Sequence, residues 1–217
     1  MMRSLLLKSI IALILSACCY EMCNAQVIKV KKKEYKKAAK KKIRGLKRKA
    51  FTPKGSGSIK LYVINALNKE FEVDEENNKL HSVVYTSMVD PTFEGAVSAC
   101  RAASRVTIAG NIETNVAELV KRSLNSDQVS AKSANGINQT VIAGKQLIAQ
   151  RVSIDDIYVL YREVKDEIDG HTLIEVEYAC FYNKDKALEK AIEHIRQEMK
   201  EETEELHKDL DKIFLQN

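Results

Sequence analysis

Leu15-Ser16-Ala17-Cys18 closes an apolar stretch that runs from Leu5 to Leu15 and is broken only by Lys8. A cysteine placed there after small residues has the pattern of a lipobox, in which cleavage frees Cys18 for lipidation of its thiol. The run is about half of what a bilayer-spanning helix needs, and Arg3 precedes it, so it reads as a secretory signal. Cys23-Asn24-Ala25 before Gln26 offers an alternative, an ordinary signal-peptidase cut between Ala25 and Gln26. Either cut exports the chain. The lipobox abuts the apolar run directly, which favours Cys18.

Behind the signal stands a second group with chemistry to offer. From Lys29 to Lys49 the chain carries 13 basic residues in 21. Lys31, Lys32, Lys33, Lys36, Lys37, Lys40, Lys41 and Lys42 are the candidate contacts for anionic lipid headgroups, which a polybasic segment attracts and which would reinforce a lipid at Cys18. The alternative is a solvated spacer. Nucleic acid is not expected as a partner, because the chain is exported and no aromatic platform or groove-reading motif accompanies the charge.

Elsewhere the reactive residue types are sparse. His81, His171, His194 and His207 are scattered, and Glu204 with His207 has no second pair to complete a metal site, so no metal and no cofactor are expected. Cys100 and Cys180 are the cysteines outside the signal region, and their small or apolar neighbours favour buried free thiols over a single disulfide. The chain lacks G-x-S-x-G and H-E-x-x-H motifs, and an enzyme would need Arg101, Arg105, Asp155, Asp156 and His171 to converge from distant positions. A non-enzymatic protein is the expectation.

The elements that must position these residues follow from charge and periodicity. Residues 26–58 hold 14 Lys/Arg against one acid, and residues 59–217 hold 19 against 28, a difference of +13 and −9 between arm and body. A mean hydropathy of −0.29 and a single apolar run exclude a polytopic membrane protein, and two prolines and eight glycines exclude a collagenous chain. Phe51 to Ser58, with Pro53, Gly55 and Gly57, reads as a linker. Four segments are therefore expected: a signal at 1–25 (1–17 if the lipobox is used), a basic helical arm and linker at 26–54, a domain at 55–183, and a long C-terminal helix at 184–217. The body is expected to fold without residues 26–54.

Within the body, Ile59, Tyr62, Val63, Ala66, Leu67 and Phe71 recur at helical spacing after Ser58, a natural N-cap. His81 to Val89 is rich in β-branched residues and ends at Asp90-Pro91. Phe93 to Arg122 has Ala96, Ala99, Cys100, Ala103, Val106, Gly110, Val116, Ala117 and Val120 on a stripe of mostly small residues, which predicts a closely packed central helix with Ala103 at its contact with the sheet. A further helix is expected through Ala134, Ile137, Val141 and Ile148, then strands at 157–164 and 172–182 joined at Asp169-Gly170. Alternation in the last strand predicts one buried face and one largely wet face. The fold expected is two-layer α+β, with three mostly antiparallel strands backed on one face by the Ala-rich helix and the long C-terminal helix. The apolar seam from Leu188 to Ile213 outruns such a sheet. It suits docking on the 58–71 helix or weak homodimer formation through a second copy.

The run Ala96-Val-Ser-Ala99-Cys-Arg101-Ala-Ala103 continuing to Ala109, with Tyr158-Val-Leu-Tyr-Arg162 and the strand into Tyr182-Asn183-Lys184, resembles the twenty-kilodalton bacterial envelope lipoprotein family (Lpp-twenty type) over residues 80–195. The resemblance implies a periplasmic or outer-membrane location and a binding or structural role toward an envelope protein or cell-wall component, with no catalytic residues to carry over.

Overall fold

A computed structural model describes residues 35–74, 78–126, 128–199 and 204–214. Helix α1 (35–48) leads into a two-residue strand β1 (Thr52–Pro53), then α2 (Ile59–Phe71), β2 (His81–Asp90), α3 (Phe93–Asn125), α4 (Ala131–Arg151), β3 (Asp155–Lys165), β4 (Thr172–Asn183), α5 (Lys184–Glu198) and α6 (Glu204–Phe214). The class is α+β. The sheet has four strands in the order β1-β3-β4-β2, all antiparallel.

Local chemistry fixes where the helices start. Ser58 accepts from the Leu61 N–H at 3.2 Å, Thr92 from Gly95 at 3.0 Å, Ser130 from Ser133 at 3.1 Å and Asn183 from Lys186 at 2.9 Å. Each cap satisfies one of the amide donors that a helix start leaves orphaned. Helix α1 stops at Ala50, whose positive φ of 58° is a left-handed turn, and the chain re-enters as β1 beside Tyr161 and Leu160.

The sheet is covered on both faces, so the wet face expected of β4 does not exist in that form. On one side Val84, Val176, Tyr178, Cys180 and Tyr182 pack with α3, α4, α5 and α6. On the other, Tyr158, Leu160 and Ala179 pack with Ala39, Leu46, Phe51, Ile59, Val63, Ala66 and Leu67. The layering is therefore helices, sheet, helices rather than two layers. The Gly/Ser run does not part an arm from the core either: α1, Phe51 and β1 belong to the second cluster, and Gly57 lies against the Tyr62 ring so closely that a Cβ would come within 2.5 Å of its Cζ.

The central helix keeps its small-residue stripe, rotated from the expected one. Buried positions are Ala96, Cys100, Ser104, Ile108, Ala109, Ile112, Val116 and Val120, whereas Ala103 is half-buried and Val106 is exposed. Ser104 takes the sheet contact because its hydroxyl has a partner there, Thr86 Oγ1 at 3.2 Å. Cys100 and Cys180 are both buried free thiols on this side of the sheet.

The expected single helix over 184–217 is two. Arg196 on α5 pairs with Asp211 on α6 at 2.7 Å, which a straight helix would hold more than 20 Å apart at roughly 1.5 Å per residue. The chain folds back, and Leu210, Ile213 and Phe214 join the main core against α3 and α4. At Leu210, Ile213 and Phe214 the seam thus finds cover inside the chain, in the main core and away from α2.

Two tests follow from this packing. Deleting residues 26–50 removes Ala39 and Leu46 from the second cluster and uncovers Tyr158, Leu160 and Ala179, so the truncated chain should lose stability relative to the full chain; an unchanged urea midpoint would contradict the layering. At the α4–α5 contact, a Cβ on Gly144 would stand 1.8 Å from Nε2 of buried His194. Gly144→Ala should therefore cost about 1–3 kcal/mol through overpacking, against the small gain in helix propensity. A double-mutant cycle with His194→Ala should return part of that loss, because the shorter side chain makes room.

Candidate functional site

Helix α1 carries eight basic residues between positions 35 and 48, and their arrangement is set by which side of the helix meets the sheet. Ala39, Ile43 and Leu46 recur at three- and four-residue steps and turn inward with Tyr35. Lys36, Lys37, Lys40, Lys41, Arg44, Lys47 and Arg48 are all exposed on the outer side. Lys42 is the exception. It reaches under the helix to Glu177 of β4 at 3.7 Å, with its ammonium 3.0 Å from the centroid of the Tyr85 ring.

Around this contact lies a partly buried polar cluster. Tyr85 donates to Glu70 Oε2 at 3.2 Å, and the Tyr158 hydroxyl is buried without a hydrogen-bond partner. Burial pushes the Glu177 carboxyl up from its ordinary value, and the neighbouring Lys42 charge only partly opposes this. Burial likewise pulls the Lys42 ammonium down, with Glu177 acting in the opposite sense. The Tyr85 and Tyr158 phenols are raised chiefly by burial. Further ties hold α1 in place: Tyr35 donates to Asn68 Oδ1 at 2.9 Å, its ring meets Phe71 edge-on at 5.9 Å, and Arg162 donates to the Lys49 carbonyl at 3.4 Å.

Of the eight candidate headgroup contacts, Lys31, Lys32 and Lys33 lie outside the described residues, as do Cys18, Ala25 and Gln26. Lys36, Lys37, Lys40 and Lys41 face solvent. Lys42 is corrected from a surface contact to an internal clamp, because its ammonium is committed to Glu177 and Tyr85. Sequence reading missed Arg44, Lys47 and Arg48 as members of the same exposed face, although steps of three and four from Lys40 and Lys41 lead to them.

Of the five residues that an enzyme would have had to bring together, Arg101 and Asp156 meet, and the others have separate surroundings. Arg101 pairs with Asp156 at 2.6 Å, and Tyr178 donates to the other oxygen of that carboxylate. Arg105 is used up on the end of α4, donating to the carbonyls of Ala149 and Val152. Asp155 lines a separate cleft with His81, Arg151 and Lys186, and His171 stands in the β3–β4 turn with its side chain 80% exposed. The cleft beside Arg101, lined also by Lys54, Phe93 and Glu94, is a solvent-open hollow of 390 Å³. Among the described residues no group of three or more His, Cys, Asp or Glu side chains is placed to hold a metal ion. The side chains of Glu204 and His207 lie outside the description.

No described helix is long and apolar enough to cross a membrane. No protein-family model, curated protein or solved structure matches the chain.

The raised Glu177 value has a consequence for acid behaviour. Between the ordinary value of 4.5 and its higher folded one, the folded chain binds this proton more tightly than the unfolded chain. The contribution of Glu177 to stability is therefore largest below 4.5 and is lost as the pH rises through the folded value. Glu177→Gln should flatten the wild-type slope in that window, read from urea midpoints at successive pH values, and an identical slope in both proteins would show that the carboxylate is not buried as described.

Proposed function

We propose that this chain is an exported, non-enzymatic protein of the bacterial cell envelope, whose α+β domain is a binding module held against an anionic lipid surface by the outer face of α1. The observation that carries the reading is the fixed presentation of Lys36, Lys37, Lys40, Lys41, Arg44, Lys47 and Arg48 on one helix side. A free polybasic segment would give up conformational freedom on adsorbing, whereas this helix is already ordered by its contacts with the sheet. Each such cation near an anionic bilayer contributes about 1 kcal/mol at low salt. The net acidic remainder of the chain would orient the molecule with α1 toward the lipid.

The signal-like N-terminus and the resemblance to the twenty-kilodalton lipoprotein family support the address. Lipidation at Cys18 would add a second anchor ahead of α1 in the sequence, and two weak anchors together hold where one does not. Cleavage before Gln26 would leave the cationic face alone. In either state the rest of the domain is available to an envelope protein or a cell-wall component.

Two measurements decide this. Vesicles containing phosphatidylglycerol should co-sediment the full chain, and phosphatidylcholine vesicles should not. Capture should fall steeply from about 0.05 to 0.5 M salt as the Debye length shrinks. Replacing Lys36, Lys37, Lys40 and Lys41 together by Gln should weaken capture at least tenfold without lowering the melting temperature, because all four side chains are exposed. Equal capture by both kinds of vesicle would rule out the electrostatic reading. Mass spectrometry of the mature N-terminus, showing diacylglyceryl Cys18 or free Gln26, separates the two anchoring states.

A further inference from the structure

The sheet has two margins, and they are built differently. At one, β1 has two residues, one of them a proline. At the other, β2 runs for ten residues and among the described residues pairs with β4 alone, from His81 opposite Asn183 to Asp90 opposite Ile174 without a break. Lys184 donates to the Leu80 carbonyl at 3.1 Å in continuation of that register, so Ser82, Val84, Thr86 and Met88 exchange their backbone hydrogen bonds with β4. The N–H and C=O groups of Val83, Tyr85, Ser87 and Val89 therefore point out of the sheet. Natural edges are kept from pairing by lysine, proline, bulges or brevity, and β2 has none of these between His81 and Asp90, where no residue is charged.

Helix α3 says what pairs there. Ser104 points at the sheet, where it meets Thr86, while Arg105 turns to the end of α4 and Arg101 to Asp156 of β3. Ala103, one residue before Ser104, turns the opposite way, toward the open margin of β2, and Ala99, Val106 and Gly110 share its side. This side is small, uncharged and open: Val106 is 59% exposed, and nothing lies within 4 Å of where a Cβ on Gly110 would stand. We infer that β2 pairs edge to edge, antiparallel, with β2 of a second copy of this chain, giving one continuous sheet with the two α3 helices packed side by side. A register centred on Tyr85 sets Val83 against Ser87 and His81 against Val89, and it brings Asp90 of each copy opposite Leu80 of the other, next to Lys79, so unlike charges meet at both ends. A foreign strand could use the edge, but a copy also brings its own small-residue helix side against Val106. The two-fold axis of such a pair is perpendicular to the sheet and keeps both α1 helices on one face.

Sedimentation of the full chain should show a monomer at micromolar concentration that passes to a dimer as the concentration approaches millimolar. Ser87→Pro removes an outward N–H that the chain does not use, and Val106→Lys puts a charge on the exposed side of α3; each should raise the dissociation constant of the dimer at least tenfold. Leu61→Lys, an equally exposed apolar position on α2, should leave it unchanged. Amide exchange identifies the surface: the Val83, Tyr85, Ser87 and Val89 amides should slow as the dimer forms, whereas Val84 and Thr86 are protected at every concentration. If Ser87→Pro does not fold, Val106→Lys and the exchange pattern still decide. A wild type that stays monomeric overturns the inference, as does a dimer in which the four edge amides exchange as fast as in the monomer. Edge amides protected at every concentration and released by deleting residues 26–34 would overturn it too, because the chain's own N-terminal segment would then hold the edge. The pairing does not depend on the surface reading above, but its consequence for adsorption does: two cationic faces on one side should bind phosphatidylglycerol vesicles more tightly than the monomeric Val106→Lys chain. A dimer that such vesicles do not capture would end the surface reading and leave the pairing in place.

Discussion

A carboxylate on the covered face of a sheet must find a cation or lose its charge, and in this chain the cation comes from the N-terminal helix. Glu177 lies on β4 beside Tyr85, Tyr158 and the second apolar cluster, partly screened from water. Lys42 is the side chain that reaches it. That pairing fixes the rotation of α1: with Lys42, Ala39, Ile43 and Leu46 turned in, helical geometry leaves the other basic side chains no direction but outward. The cationic face follows from the burial of one of its own members. Buried ion pairs are poor sources of net stability, since desolvation consumes most of the attraction. The pair here reads better as a register device, which selects one seating of a helix that charge alone would leave free to roll.

Much of this architecture was legible in the sequence. Ser58 as N-cap, the strand His81–Asp90, the helix from Phe93 and the β3–β4 hairpin were all readable, because caps, β-branched runs and an Asp-Gly turn are local signals. The layer formed by α1 and α2 was not. Its inward stripe on α1 consists of one alanine, one isoleucine and one leucine among eight basic residues, so composition hid a periodicity that was present. β1 was also invisible, since two residues of edge strand have no pattern of their own and exist only because Thr52 and Pro53 meet Tyr161 and Leu160.

The candidate surface was read as a set of lysines, and the structure sorts that set. What the sequence could not say is that Lys42 differs from Lys41, because the difference lies in Glu177, far along the chain. The C-terminal error has a similar root. The apolar steps stop at Met199 and resume at Leu206, a seven-residue gap interrupted by Glu202 that still equals about two helical turns, so periodicity joins α5 to α6, whereas the Arg196–Asp211 contact requires a reversal between them.

The seating of the N-terminal segment also orders events in time. Thr52 donates to the carbonyl of Tyr161, 109 residues later, and Arg162 reaches back 113 residues to the carbonyl of Lys49. A chain that emerges from a ribosome or a translocation pore N-terminus first thus presents α1 long before β3 and β4 exist to receive it. Contacts of such sequence separation form late and slowly. The protein cannot close its second layer until four-fifths of its length is out, so the inward side of α1 waits uncovered through most of synthesis.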